Sequence, residues 1–184
     1  YSLFMRCKLY LFIALLYSFS CLIAGGKDSL TIVKDYQNAR TDEEKIFASI
    51  EFSKFYLARD LNCSKKYMKE AKNLSEKKGI AEGVAESICV EGEINFLLSN
   101  YKEAEANFTE ALSIFNKAKK SVGMGEAYGG LGKVAYKLDQ HDAALTHFSE
   151  ALKIFETNNY RDGLAGGYIN LGLLYEDSQN LTQA

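Results

Sequence analysis

Apolar residues recur at helical spacing along most of the chain, and residues 127–155 show this pattern most clearly. Two apolar stripes repeat every three or four positions: Tyr128, Leu131, Ala135 and Leu138, then Leu145, Phe148, Leu152 and Phe155. Residues 139–142 between them are polar, and Asp142 lies where a carboxylate stabilises a helix N-terminus. The stretch therefore predicts two short amphipathic helices joined by a turn.

The same pattern recurs at a fixed distance of 40 positions along the chain. Seven residues have an identical counterpart 40 positions earlier: Gly132, Ala144, Phe148, Ala151, Leu152, Ile154 and Phe155 repeat Gly92, Ala104, Phe108, Ala111, Leu112, Ile114 and Phe115. Later copies are Tyr168, Leu171, Gly172 and Ala184, and a weaker earlier copy is Ser64, Met68, Ala71 and Leu74. One small helix pair cannot bury its apolar faces alone, so we expect three stacked pairs and the first half of a fourth.

This spacing resembles the tetratricopeptide repeat over residues 41–184. The family's Leu-Gly, small-residue, Phe and Ala positions are matched by Leu131, Gly132, Ala144, Phe148 and Ala151. The resemblance implies an all-α fold, a right-handed α-solenoid of helix-turn-helix repeats whose first helices line a groove. The usual repeat has about 34 residues and often ends in proline. This chain has no proline and a period of 40, so either its helices or its links are longer.

Residues 168–175, YINLGLLY, fit the Tyr-x-Asn-Leu-Gly-x-x-Tyr pattern of long-repeat members in signalling proteins. The chain is therefore similar to the extracytoplasmic repeat region of bacterial sensor kinases and regulators. In such proteins the repeats lead into a membrane helix and an output domain.

Residues 1–26 resemble a secretory signal peptide. The candidate start Met5 is followed by two basic residues, an apolar run at 9–19 and several small residues. A membrane-spanning helix usually needs about 20 apolar residues, so a membrane-held or buried N-terminal helix is the alternative interpretation. We expect an exported protein, either periplasmic or anchored to the cell envelope.

Cys21 raises a second possibility for this segment. Residues 18–21 resemble a relaxed bacterial lipoprotein signal, in which the cysteine becomes the lipidated first residue of the mature chain. The alternative is cleavage nearer Ala24 or Gly25, which removes Cys21 with the signal peptide.

A polar lead-in at residues 27–40 precedes the repeats, and we expect it to contain a short helix covering the open end of the array. Thr41 and Glu44 predict a capping box at the first repeat helix. The predicted links at 77–80, 117–123 and 158–163 are rich in glycine, lysine and asparagine, with Gly83, Gly123 and Gly163 in phase.

The composition excludes some functions. The 184 residues are 47% hydrophobic and 25% charged, with a formal net charge of -2 and no basic cluster, so no nucleic-acid partner is expected. His141, placed in the predicted turn, and His147 have no acid or cysteine at ligand spacing, so neither a catalytic nor a metal site is predicted, and no cofactor. Cys63 and Cys89 could form a disulfide or remain separate thiols.

The glycines between 123 and 132 follow no predicted strand, so we do not read them as a phosphate loop. Several glycines in one helix instead favour close helix approach or an unusually roomy groove. The four Asn-x-Ser/Thr matches, at Asn62, Asn73, Asn107 and Asn180, are interpreted as chance.

The resemblance also implies which side chains line the groove. The positions at the family's peptide-facing offsets are Glu86, Cys89, Glu93, Phe96, Glu126, Gly129, Lys133, Tyr136, Ile169, Asn170, Leu173 and Glu176. Asn170 matches an asparagine that bonds a peptide backbone in long-repeat relatives, whereas Val90 and Gly130 occupy that offset earlier. Only Lys133 and Asn170 suit a clamp for a terminal carboxylate. The alternative is that all these residues are solvated surface without a ligand.

We therefore predict a non-catalytic scaffold that binds a protein or peptide, as the extracytoplasmic sensing or interaction region of a larger bacterial signalling protein. The alternative is a stand-alone envelope lipoprotein that supports complex assembly. Membrane contact is expected only through the N-terminal segment or a downstream helix outside this sequence. We also expect the last helix to leave Leu171 and Leu174 uncovered.

Overall fold

The structure is a computed structural model that describes residues 29–183, with side chains from 31 to 177. This part of the chain contains eight helices and no strand. The helices are α1 (Ser29–Asn38), α2 (Asp42–Tyr56), α3 (Leu61–Lys78), α4 (Ala81–Leu97), α5 (Tyr101–Ala118), α6 (Ser121–Lys137), α7 (His141–Thr157) and α8 (Arg161–Gln183). The predicted fold class, an all-α solenoid of helical repeats, is confirmed. The predicted signal peptide and Cys21 lie outside the described residues.

Longer helices, not longer links, account for the long repeat period. From α3 to α8 each helix begins 20 positions after the previous one, at Leu61, Ala81, Tyr101, Ser121, His141 and Arg161. Helices α3 to α7 each contain 17 or 18 residues, and two or three residues separate consecutive helices. Each repeat is therefore two helices of nearly equal length joined by tight turns.

These turns share one backbone device. A residue with positive φ, between 52° and 67°, recurs every 20 positions: Gly79, Ser99, Lys119, Asp139 and Asn159. The next residue donates its N–H to the carbonyl five positions back, as from Lys120 to Phe115 at 2.9 Å. This left-handed cap satisfies carbonyls at the helix end and turns the chain. Gly123 and Gly163 are not in the links as predicted, because each, like the in-phase Gly83, is the third residue of its helix.

The helices divide into two compact units within α4, between Val90 and Glu91. In the first unit, α1 packs on α2, and α2 packs on α3. Their shared core is largely aromatic and comprises Ile32, Val33, Phe52, Tyr56, Cys63 and Tyr67, with Tyr36 and Phe55 at its edge. The lead-in segment thus contains a helix that covers this cluster. None of the helices within residues 29–183 combines the length and apolarity that crossing a membrane requires.

The capping box predicted at the start of α2 is confirmed. The Thr41 hydroxyl accepts the N–H of Glu44 at 3.1 Å. The Glu44 carboxylate in turn accepts the N–H groups of Thr41 at 3.1 Å and Arg40 at 2.8 Å. These bonds satisfy N–H groups at the helix start that have no partner within the helix.

In the second unit, phenylalanine rings lie against glycines of neighbouring helices. A Cβ atom added to Gly132 would lie 2.5 Å from two ring atoms of Phe148, and one added to Gly130 would lie 2.5 Å from Phe108. Phe155 blocks Gly125 in the same way. The predicted close helix approach is confirmed at these positions. Gly129 differs, because an added Cβ would meet nothing within 4 Å.

More of helix α8 is buried against neighbouring helices than was predicted from the sequence. Leu174 is only 4% exposed and packs with Ala135, Ala144 and Phe148, and Leu171 lies against the same cluster. The expectation that Leu171 and Leu174 are uncovered is therefore wrong, because α8 packs on both α6 and α7. Among the α8 side chains up to residue 177, the large apolar residues that are exposed are Tyr168, Ile169, Leu173 and Tyr175.

Candidate functional site

The second unit brings the first helices of successive repeats together along one surface. Helices α6 and α8 are in contact. On α6 the candidate residues recur every three or four positions, and on α8 Ile169, Leu173 and Glu176 do the same, so on each helix they share one side. We call this surface the first-helix face; it comprises Glu93, Phe96, Glu126, Gly129, Lys133, Tyr136, Ile169, Asn170, Leu173, Glu176 and Asp177.

Lys133 is already paired on this face. Its ammonium group forms a charge-assisted hydrogen bond and ion pair with the carboxylate of Glu93, which lies 40 positions earlier. The ammonium also lies 5.6 Å from the centre of the Phe96 ring, within range of a cation–π contact. These contacts hold the C-terminal parts of α4 and α6 side by side. Lys133 is therefore neutralised by a neighbour and is a poor clamp for a terminal carboxylate.

Two further carboxylates accept hydrogen bonds from tyrosine hydroxyls. Tyr136 donates to Asp177, and Tyr160 donates to Glu126 at 3.2 Å. The bond to Asp177 raises the pKa of Tyr136, because the ionised phenol could no longer donate it. A tyrosine phenol is protonated near neutral pH in any case, since its ordinary pKa is about 10. Such a neutral donor fixes the Asp177 carboxylate in position but leaves its negative charge in place.

Sequence reasoning missed Asp177 and Tyr160 as members of this network. Asp177 lies beside the candidate Glu176 but falls at none of the family's peptide-facing offsets. Tyr160 lies in a link, where no helical period marks it. The sequence separation gives a signal for Asp177 alone, since it lies 41 positions after Tyr136, close to the repeat period, whereas Tyr160 lies 34 positions after Glu126.

The open part of the face is apolar. Ile169 is 64% exposed and Leu173 is 46% exposed, although both belong to a helix whose other side is packed. They lie one turn apart on α8, with the half-buried Asn170 beside Ile169. At Gly129 on α6 the helix backbone itself is open, because an added Cβ atom would meet nothing within 4 Å. This part of the surface can accept an apolar side chain and offer an amide to a peptide backbone.

Two predicted candidates belong to the first unit. Glu86 lies 3.6 Å from the ammonium of Lys54. Cys89 is only 6% exposed, and its sulfur is not part of a disulfide. The thiol therefore presents almost no surface to a ligand, and its inclusion among groove residues is corrected. Because the Cys89 sulfur is not part of a disulfide, Cys63 and Cys89 are not joined to each other.

The histidines lie close to tyrosine rings. His141 is the first residue of α7, not part of the turn as predicted. Its Nδ1 is buried and has no hydrogen-bond partner among the described residues, and its ring centre is 6.3 Å from that of Tyr136. His147 stacks near Tyr128, and burial lowers its pKa. No group of three or more His, Cys, Asp or Glu within residues 29–183 is arranged to hold a metal ion.

Comparisons with known proteins agree with this geometry. Residues 84–157 match the tetratricopeptide repeat family. The fold is similar to the crystal structure of aspartyl phosphate phosphatase F from Bacillus subtilis, with a TM-score of 0.66 and 17% sequence identity. The similarity covers 85% of this chain and 43% of that protein, so this chain spans less than half of its length. At this identity the comparison shows the fold alone.

A search of curated proteins found no significant match. The family match and the fold rest on the same helices, since α5, α6 and α7 fall within residues 84–157. Residues 84–157 are therefore similar to tetratricopeptide repeats, and the described helices on either side of this segment, α3 and α8, begin at the same 20-residue spacing.

Proposed function

We propose that this chain is a non-catalytic interaction module that binds a peptide segment of a partner protein on the first-helix face. Tetratricopeptide repeats generally bind protein partners and serve as scaffolds. The observation that supports this choice of surface is the exposure of Ile169 and Leu173 on α8, a helix that contacts α6 and its open backbone at Gly129. Large apolar side chains exposed together on an otherwise packed helix are typical of an interaction surface.

The energetics favour a short apolar anchor in the ligand. Fully burying one isoleucine or leucine side chain contributes roughly 1.5–3 kcal/mol. Because Ile169 and Leu173 are each about half exposed, covering both contributes roughly that amount in total. Such a contribution suits a reversible complex that also needs backbone hydrogen bonds, and the Asn170 amide is the group we assign to them. Tight binding would require contacts beyond these two side chains.

The proposed setting is the extracytoplasmic sensing region of a larger bacterial signalling protein. The signal-like pattern at residues 1–26 and the long-repeat motif at 168–175 support this proposal. Cys21 in turn favours the second candidate, an envelope lipoprotein scaffold. Mass spectrometry of the mature N-terminus separates them: a diacylated or triacylated Cys21 supports the lipoprotein, and an unmodified chain starting after Cys21 rejects it.

Binding can be tested with peptides selected from an unbiased display library against the chain that begins at Lys27. We expect the selected peptides to bind at least about tenfold more weakly to a variant carrying Ile169→Ser and Leu173→Ser, since the apolar contribution above corresponds to a factor of about ten or more. Leu138→Ser is the matched control, because Leu138 is 40% exposed at the end of α6 and outside the face. All variants should keep the same far-UV circular dichroism. Selected peptides that bind the double variant as well as the parent chain would reject the first-helix face as the binding site.

A further inference from the structure

The first-helix face carries four carboxylates and one ammonium group. The carboxylates belong to Glu93, Glu126, Glu176 and Asp177, and the ammonium belongs to Lys133. The ion pair between Lys133 and Glu93 removes one charge of each sign from the surface. The Lys137 ammonium, 5.6 Å from the centre of the Tyr136 ring, offsets one of the three remaining carboxylates. The balance of the face is therefore acidic, and two of its carboxylates lie side by side on α8.

Glu176 and Asp177 lie three and four residues after the exposed Leu173 on the same helix. Asp177 accepts a hydrogen bond from the Tyr136 hydroxyl, which carries no charge. That bond fixes Asp177 in position, and Glu176 is exposed beside it. A carboxylate has about four acceptor sites, so one tyrosine bond leaves room for a ligand donor.

From this charge distribution we infer that the peptide bound on the first-helix face is cationic, with a lysine or arginine next to an apolar anchor. This inference rests on the proposed function and specifies the chemistry of the partner. The apolar side chain lies against Ile169 and Leu173, and the cationic side chain reaches Glu176 and Asp177. An acidic peptide is excluded from the same surface, because its charges would face these carboxylates and the ammonium of Lys133 is already paired.

The geometry sets the spacing between the two ligand side chains. Leu173 and Asp177 are four residues apart on α8, and Ile169 and Glu176 are seven apart, which correspond to about 6 and about 10 Å along the helix axis. An extended peptide advances about 3.3 Å per residue. The cationic residue therefore lies about two or three positions from the apolar anchor in an extended ligand.

The same display library tests the inference. We expect selected peptides to carry lysine or arginine about two or three positions from a large apolar residue. Replacing the basic residues with glutamine should weaken binding about five- to twentyfold, and replacing them with glutamate should weaken it further. Raising the salt from about 0.1 to about 1 M shortens the screening length from about 10 to about 3 Å, so it should weaken the basic peptides but not their glutamine versions.

Variants of the chain provide the matched comparison. Glu176→Gln with Asp177→Asn keeps side-chain size and the acceptor for Tyr136 but removes two charges. We expect this variant to bind the basic peptides about five- to twentyfold more weakly, because exposed ion pairs contribute about two- to fivefold each. The glutamine versions should bind both proteins equally. Glu150→Gln, an exposed change on α7 outside the face, is the control.

The outcomes separate the inference from the proposed function. Selected peptides that are neutral or acidic, yet still need Ile169 and Leu173, overturn the inference and leave the binding function intact. Basic peptides whose affinity is unchanged in the Glu176→Gln, Asp177→Asn variant also overturn it. A library that yields no peptide dependent on Ile169 and Leu173 rejects the function and the inference together.

Discussion

Two glycines three positions apart on α6 should respond to alanine in opposite directions. At Gly132, an added Cβ would lie 2.5 Å from Cδ1 and Cε1 of Phe148 and 3.1 Å from Cγ. At Gly129, it would meet nothing within 4 Å. Alanine has a better helix propensity than glycine at both sites, so the difference between the variants isolates the contact with the ring.

The size of each effect follows from the surroundings. Phe148 is 1% exposed and packs with Ala135, Ala144 and Leu174, so its ring has little room to move away. Overpacking a dense core typically costs about 1–3 kcal/mol, and helix propensity returns up to about 1 kcal/mol. Gly132→Ala should therefore lower the free energy of unfolding by up to about 2 kcal/mol. Gly129→Ala should raise it by about 0.5–1 kcal/mol.

Urea denaturation followed by far-UV circular dichroism measures both changes. We expect the two variants to differ by about 1–3 kcal/mol, which corresponds to roughly 2–12 °C in melting temperature for a chain of this size. Peptide binding to the Gly129→Ala variant is a second readout, because the methyl group of alanine occupies part of the open space above residue 129. If Gly132→Ala proved as stable as Gly129→Ala, the close approach of α6 and α7 at Phe148 would be refuted.

Two further predictions concern helix ends. Lys119 holds a left-handed conformation (φ 56°, ψ 39°) that disfavours side chains with a Cβ, so Lys119→Gly should stabilise the chain by about 0.5–1 kcal/mol in urea denaturation. Lys119→Ala retains the Cβ and should give no such gain; an equal gain would contradict this explanation. The N–H groups of Arg40 and Thr41 lower the pKa of Glu44, so its contribution to stability is present above the ordinary glutamate pKa and is lost as pH falls through the lowered value. Glu44→Gln should flatten that acid limb of the stability profile, and an unchanged limb would show that the capping bonds do not hold the charge.

The repeat architecture could be predicted because its packing needs particular side chains at a fixed distance. Gly132 and Phe148 recur as Gly92 and Phe108, and in the structure each ring lies against the glycine of its own repeat. The helix start at Thr41 could also be predicted from the sequence, since a capping box is a local pattern of two side chains. These features depend on residues whose size or hydrogen bonding leaves few alternatives.

Other features depend on tertiary contacts that leave no local pattern. Ser99 and Lys119 adopt left-handed backbone without being residues that favour it, because the regular spacing of the helices places the turn there. Leu174 is buried because α8 packs on two helices at once, which a stripe on α8 alone does not reveal. The pairing of Lys133 with Glu93 needs two helices to be in register, and it changes the groove from a possible anion site to a net acidic surface.

The regular placement of the turns has a consequence for engineering. Lys120 and Tyr160 are the last link residues before α6 and α8, and each donates to a phenylalanine carbonyl five positions earlier. Phe115 lies against Gly123 just as Phe155 lies against Gly163. Excising residues 121–160 would thus join two equivalent points, with Phe115 inheriting Gly163 as its neighbour. The junction would keep its backbone pattern, but Asn170 would take the place of Gly130 against the Phe108 ring, so a chain shortened by one repeat also needs glycine at that position.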